Sequence, residues 1–226
     1  MTNQKLNKKD FVELKYTGYV NGNPFDSNVE EDLKKIHPEA KVKKTIVSIG
    51  EGMLVLGLDS DLEGKELNKD YEVVLKPKQA FGERDRNLVR TIPLNIFTEQ
   101  RINPYPGLVL NMDSVIAKVI TVSGARVLTD FNNPLAGKEV TYKYKVIRRI
   151  EDEKEKVESV LEYFMKMIPE YEIKDKVIIK GPKAYELFVK SFKEKFKEII
   201  GKELAFEEKT NKTEKNLEKK IIEKKE

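Results

Sequence analysis

Tyr16-Thr17-Gly18-Tyr19-Val20-Asn21-Gly22-Asn23-Pro24-Phe25-Asp26-Ser27 reads as a β-hairpin. Asn21-Gly22 is the favoured pair for a two-residue turn, because both turn positions need positive φ. The run Phe11-Val12-Glu13-Leu14-Lys15-Tyr16 before it reads as a strand. Folding back at Asn21-Gly22 brings the Tyr16 phenol close to the Phe25-Asp26 pair on the partner strand. A carboxylate directly after Phe in an apolar strand has a poor structural reason to be there. Asp26 is therefore the first candidate for chemistry.

Three more segments extend the pattern. In Thr45 to Gly64 a β-branched run leads into Gly50, Gly52 and Gly57, then a short helical stretch ends at Gly64. The glycines are spaced G-x-G-x-x-x-x-G, with Val55 where a dinucleotide fingerprint needs its third glycine, and no βαβ repeat follows. A nucleotide site is excluded on those grounds. The alternative is an apolar floor made by Leu54, Val55 and Leu58 at the mouth of the helix. Next comes Ala80-Phe81-Gly82, after the strand Tyr71-Glu72-Val73-Val74-Leu75. Last is Asp130-Phe131-Asn132-Asn133-Pro134-Leu135-Ala136-Gly137-Lys138, followed by a strand from Val140 to Ile147.

In this order the segments resemble the FK506-binding (FKBP) family of peptidyl-prolyl cis-trans isomerases, in which Y-T-G, G-x-x-F-D-S, G-x-G-x-L/V-x-x-G-L, A-F-G and N-x-P-L-A-G-K recur at similar spacings. The long stretch between Gly82 and Asp130 resembles the prokaryotic subfamily with a domain inserted in the flap, the SlyD-type chaperone isomerases. The resemblance implies an α+β fold, an antiparallel sheet wrapped on a short helix with an inserted β-rich flap domain; the small C-terminal α/β domain is read from the residues after Ile150, and the resemblance to the simplest relatives of this type does not cover it. It implies an enzyme that needs no cofactor. Val47, Leu54, Leu58, Phe25, Phe81 and Tyr142 would line a proline pocket. The Val55 N–H would hold a substrate carbonyl, Tyr16 would offer its hydroxyl, and Asp26 would sit at the rim. The chain departs from the family pattern at Asn133, where His is usual, at Phe81, where many relatives have Tyr, and at Leu58, where the best-known eukaryotic members have Trp. A roomier pocket with weaker affinity for FK506-like macrolides is the expected result.

Composition sets the surroundings. The chain has 226 residues, enough for two or three small domains. Charged residues make up 36% of it, against roughly a quarter in typical globular proteins. Cys is absent, and Lys and Glu dominate the charge, a bias that fits a high-temperature organism. Without Cys there is neither a disulfide framework nor a thiolate metal site, and the single His37 lies in a polar stretch, so no metal is expected. No N-terminal run reads as a signal peptide and no run is long enough for a membrane helix; the expected setting is the cytoplasm. The net charge of +4 invites nucleic acid as a partner. Residues 151–226, however, carry as many acids as lysines, and the surplus elsewhere forms no Arg-rich stripe. Counterion release needs clustered positive charge, so nucleic-acid binding is not expected.

The expected organisation is an isomerase domain in two pieces, 1–83 and 130–151, an insert at 84–129, a C-terminal domain at 152–208 and a charged tail at 209–226. Glu30 to Ile36 is expected to form one or two helical turns beside the pocket. In the insert, Leu88 to Phe97 reads as a strand interrupted at Pro93, Gly107 to Met112 as a short strand, and Ser114 to Val122 with Arg126 to Phe131 as a hairpin. Ile92, Leu94, Ile96, Phe97, Ile102, Leu108, Leu110 and Met112 are too many apolar residues for so small a unit to bury. About half are expected at the surface, as a patch that captures unfolded polypeptide. In the C-terminal region Val157, Val160, Leu161, Phe164, Met165 and Ile168 fall at helical spacing and Pro169 ends the run. Tyr171 to Lys180 reads as one strand, Gly181-Pro182 opens a second helix with an aromatic face, and Lys202 to Lys209 reads as another strand. This α-β-α-β unit carries no constellation of catalytic residues. Its aromatic load is expected to dock on the isomerase domain or on a second copy. Two rival functions remain open: a holdase with a vestigial pocket, and an adaptor that merely binds proline peptides.

Overall fold

The computed structural model describes residues 5–112 and 115–209. Its first sheet is built from β1 (Phe11–Val20), β2 (Asn23–Ser27), β3 (Thr45–Ser48), β4 (Asp70–Leu75) and β9 (Val140–Arg149) in the order β2-β1-β9-β4, with β3 also paired to β1. All pairings in it are antiparallel. The Asn21-Gly22 turn has φ of 50° and 78°, as a primed hairpin turn requires. Between β2 and β3 lies α1 (Glu30–Ile36), and between β3 and β4 lies α2 (Leu56–Asp61). Leu58 and Leu62, at the helical i, i+4 spacing, are buried with Val12, Leu14, Leu75, Tyr142, Tyr144 and Val146 of the sheet. The Gly57 position, facing Leu75 and Gln79, leaves no room for a β-carbon, so a glycine lets α2 settle close onto the sheet.

Between β4 and β9 the chain leaves for a second sheet. It contains β5 (Val89–Pro93), β6 (Val109–Met112), β7 (Val115–Ser123) and β8 (Arg126–Asp130), ordered β5-β8-β7-β6. The hairpin between β7 and β8 forms, turning at Gly124-Ala125, one residue beyond the Ser123-Gly124 turn that the sequence suggests; Ser114, expected to begin it, lies outside the described residues. The expected strand from Leu88 to Phe97 stops at Pro93. Pro93 lacks an N–H for a ladder and caps a helix instead, α3 (Leu94–Glu99), which places Phe97 in the core with Val119 and Val127. These are the three fully buried side chains of that cluster.

After β9 come α4 (Glu153–Met165), β10 (Glu170–Ile173), β11 (Lys176–Gly181), α5 (Ala184–Ile200) and β12 (Glu203–Glu208). Asp152 caps α4 by accepting from the Glu155 N–H at 2.8 Å. The single strand expected over 171–180 is two strands of a hairpin, since Lys174-Asp175 makes a tight turn in which the Lys174 N–H donates to the Lys176 carbonyl. β11, α5 and β12 form a parallel crossover unit. Its core is continuous with the first sheet: Phe11 and Ile150 are buried among Val157, Val160, Leu161, Ile179 and Phe196. The C-terminal region is thus docked on the five-stranded sheet. Arg148 reinforces the seam by donating to Glu13 at 2.8 Å and to Glu155 at 2.6 Å. Of the expected charged tail only Lys209 belongs to the described residues.

Candidate active site

The hairpin register assembles the site. β2 pairs with β1 at Gly18↔Asp26 and then at Tyr19↔Pro24, so Phe25 is an extra, bulged residue. The bulge lets Phe25 and Asp26 both serve the same side of the sheet, which strict alternation would forbid. The Phe25 ring meets Phe81 edge-on at 5.6 Å and Tyr142 edge-on at 5.8 Å. Tyr142 in turn lies 6.1 Å from the Tyr16 ring. Gly18 makes this box possible. A β-carbon there would stand 2.7 Å from the Phe25 ring and 2.9 Å from that of Tyr142.

At the rim of the aromatic box the Tyr16 hydroxyl donates to the Asp26 carboxylate at 3.0 Å. Burial pushes the Tyr16 phenol well above its ordinary range, and the Asp26 charge adds to the push. Tyr142 is raised for the same two reasons. Both phenols therefore stay protonated at neutral pH, and Tyr16 remains a hydrogen-bond donor.

The apolar floor is laid by β3 and α2. Val47 and Leu58 are buried in the main core, while Leu54, Val55 and Phe81 pack against it half-buried. Val55 caps α2 with extended backbone. Among the described residues its N–H has no hydrogen-bond partner, which leaves it available to a ligand carbonyl. Tyr16, Phe25, Phe81 and Tyr142 thus adjoin one another, with Asp26 bonded to Tyr16, and Leu54 and Val55 pack half-buried against the same core as Val47 and Leu58. Asn133 is not part of this box; its side chain accepts from the Leu135 N–H and shapes the Asn133-Pro134 turn.

Two groups escaped the sequence reading. Asp59, on α2, is buried and accepts from the N–H groups of Gly50 at 2.8 Å and Gly52 at 2.9 Å. It ties the turn preceding Val55 to the helix that follows. The second is Asn132, buried where the chain enters and leaves the inserted sheet. It accepts from the Asp85 N–H at 2.8 Å, donates to the Asp85 carbonyl at 2.9 Å, and donates to Asp130 at 2.7 Å. Arg84 completes the junction by pairing with Asp130 at 2.6 Å.

The residues expected to form a capture surface divide by strand parity. Phe97, 1% exposed, is core. Ile92, Leu94, Leu108, Leu110 and Met112 are half-buried against it, and Ile96 is exposed. The outward face carries instead Val109, 57% exposed, and Ile116, 51% exposed. With Pro106, Ile120 and Pro134 these two line a cleft of about 710 Å³ against the Asn132-to-Lys138 loop.

Comparison with known proteins agrees with this geometry. A family model described as FKBP-type peptidyl-prolyl cis-trans isomerase matches residues 2–96, and one described as FKBP26, IF domain, matches residues 90–135. A short-type peptidyl-prolyl cis-trans isomerase of Methanocaldococcus jannaschii is 31% identical over 144 residues, covering 62% of this chain and 92% of that protein. The isomerase SlyD of Aeromonas hydrophila is 34% identical over 99 residues, covering 43% of this chain and 47% of its own length. SlyD of Escherichia coli is 28% identical over 101 residues, with 43% and 52% covered. The chain therefore spans about half the length of these SlyD relatives. It belongs to the FKBP-type peptidyl-prolyl cis-trans isomerases. Among the described residues no helix is long and apolar enough to cross a membrane.

Proposed function

We propose that the chain accelerates rotation about Xaa-Pro bonds in unfolded and partly folded polypeptides, and that it does so at the Tyr16–Asp26 box. The uncatalysed barrier is about 20 kcal/mol, because rotation breaks amide resonance. The twisted amide is less dipolar than the planar one and loses less hydration on entering a dry pocket. A proline ring seated among Phe25, Phe81 and Tyr142 puts the amide in such an environment. The Val55 N–H holds one substrate carbonyl, and Asp26 at the rim interacts with the carbonyl of the twisting imide. No bond is made to the protein and no cofactor is called for.

The observation that carries this reading is the 3.0 Å Tyr16–Asp26 hydrogen bond at the lip of an aromatic box. The direct test is relaxation of a short Xaa-Leu-Pro-Phe peptide under catalytic amounts of protein. Asp26→Ala is expected to lower kcat at least about tenfold, equivalent to 1.36 kcal/mol of barrier. Absence of acceleration by the wild type would transfer the function to a holdase or to a proline-peptide adaptor.

The inserted sheet adds chaperone activity: it captures extended clients weakly and raises the local concentration of prolines at the pocket. Val109 and Ile116, on the outward face beside Pro134, are the residues proposed to meet clients. Deleting residues 85–129 should spare short-peptide turnover and collapse activity on a refolding protein. The division into a two-piece isomerase domain, an insert and a C-terminal domain is part of the same proposal, supported by the three separate sheets. FK506-like macrolides are proposed as inhibitors, weakened by Leu58. Self-association through the C-terminal unit and a cytoplasmic setting complete the reading.

A further inference from the structure

The turn Gly50-Glu51-Gly52 immediately precedes the pocket floor, and it is gripped from outside the isomerase fold. From α4, the Tyr163 hydroxyl donates to the Gly52 carbonyl at 2.8 Å, and the Tyr163 ring packs against the main core. From α5, the Lys195 ammonium pairs with Glu51 at 2.7 Å. The Glu51 side chain is only 5% exposed, so this pair is more shielded than an ordinary surface ion pair. From within, Asp59 binds the N–H groups of Gly50 and Gly52. Gly50 and Gly52 both have φ near the left-handed region, 80° and 73°. Two glycines in three residues make a turn that many conformations could satisfy, so what fixes it is its contacts. Val55 follows Gly52 by three residues, and the direction of its N–H depends on where that turn is held.

We infer that Tyr163 and Lys195 are positioning residues for the Val55 amide, so that the C-terminal unit completes the isomerase site. The inference rests on the isomerase reading above. It assigns to the C-terminal unit a part in substrate binding, although that unit contributes no side chain to the pocket. Lys195 and Tyr163 reach the turn from two helices that are far apart in sequence, and both contacts exist only when that unit is folded and docked.

The roles separate kinetically. The Val55 N–H holds a carbonyl throughout the rotation, so loosening it weakens ground state and transition state alike and appears in KM with kcat unchanged. Asp26 acts on the twisting imide, and its loss appears in kcat. The experiment uses the full chain and the Xaa-Leu-Pro-Phe peptide. The double variant Tyr163→Phe, Lys195→Met is expected to raise KM about fivefold, the ratio that one net hydrogen bond is worth. Lys195→Arg alone, which keeps a positive charge beside Glu51, should leave KM close to the wild-type value. Lys209→Met removes the pair with Glu170 on the far side of the unit and serves as control. Amide exchange at Gly50 and Gly52, whose N–H groups donate to Asp59, should speed up in the double variant and not in the control.

A double variant with wild-type KM and unchanged exchange at Gly50 and Gly52 would overturn the inference. A fall in kcat alone would also overturn it, since partial unfolding reduces the active fraction without changing KM. Failure of the isomerase reading itself looks different, because the wild type would then show no turnover at all.

Discussion

The five-stranded sheet and the inserted four-stranded sheet solve opposite problems with similar residues. The first buries a large core and spends aromatic rings on a box whose spacings are fixed by a bulge at Phe25 and a missing side chain at Gly18. The second has a small core, Phe97, Val119 and Val127 with Ala117 and Thr129 also buried, and leaves Val109 and Ile116 in solvent. A rigid box suits a reaction in which one amide must twist in a defined place. A thin core with an apolar outer face suits contact with many sequences, because burial of apolar area is non-directional. Fixed ring geometry is concentrated in one unit and exposed apolar surface in the other.

The largest expected break in that contrast comes from Phe97→Ala. Truncating a buried Phe costs about 3–5 kcal/mol, a large part of what so small a core supplies. The inserted sheet should melt separately, seen as an early transition, while short-peptide turnover persists. Loss of both together would mean that the two sheets form one cooperative unit. A milder change, Val109→Ser with Ile116→Ser, leaves the core intact. Refolding of a proline-limited protein should slow by about threefold to tenfold, in line with losing roughly 1 kcal/mol of apolar contact, with peptide turnover unchanged.

The smallest expected effect lies at the junction between the sheets. Burial would raise the Asp130 carboxyl, but hydrogen bonds from Asn132 and the Arg84 charge outweigh it and hold the group below the ordinary range. A lowered folded value contributes stability that is present above the unfolded value of about 3.9 and lost as pH falls through the folded one. The protection of the Asp85 and Asn132 amides, relative to their intrinsic exchange at each pH, should therefore fall as pH drops below about 4. The Arg84→Met variant should begin that loosening at higher pH. An unchanged profile would remove the carboxylate from the junction's stability.

The same contrast governs how far the sequence could be read. Local rules carried the hairpin at Asn21-Gly22, the α2 helix after its glycines and the nearness of Tyr16 to Phe25 and Asp26, whereas Tyr142 came only from the family resemblance. Parity in the insert was hard to read, because Val109 puts an apolar residue on the same face as Asn111, and pairing with Ala117 and Val119 shows that Leu108, Leu110 and Met112 face the core. Pro93 was recognised as an interruption, but the helix after it depends on Phe97 finding a pocket. The Asp59 clamp looked like an ordinary helical carboxylate. Contacts such as Lys195 with Glu51 join residues too far apart for any periodicity to reveal.

The insertion point also dictates an order of events during synthesis. β1 and β4 both take their neighbour from β9, which the ribosome delivers only after the whole inserted sheet has emerged. Until Val140–Arg149 arrives, Tyr142 is absent, the box has no back wall, and β1 and β4 have unpaired edges. The inserted unit, whose contacts are nearer in sequence, is free to fold first. A nascent chain therefore completes the inserted sheet, with Val109 and Ile116 exposed on it, before it completes the aromatic box.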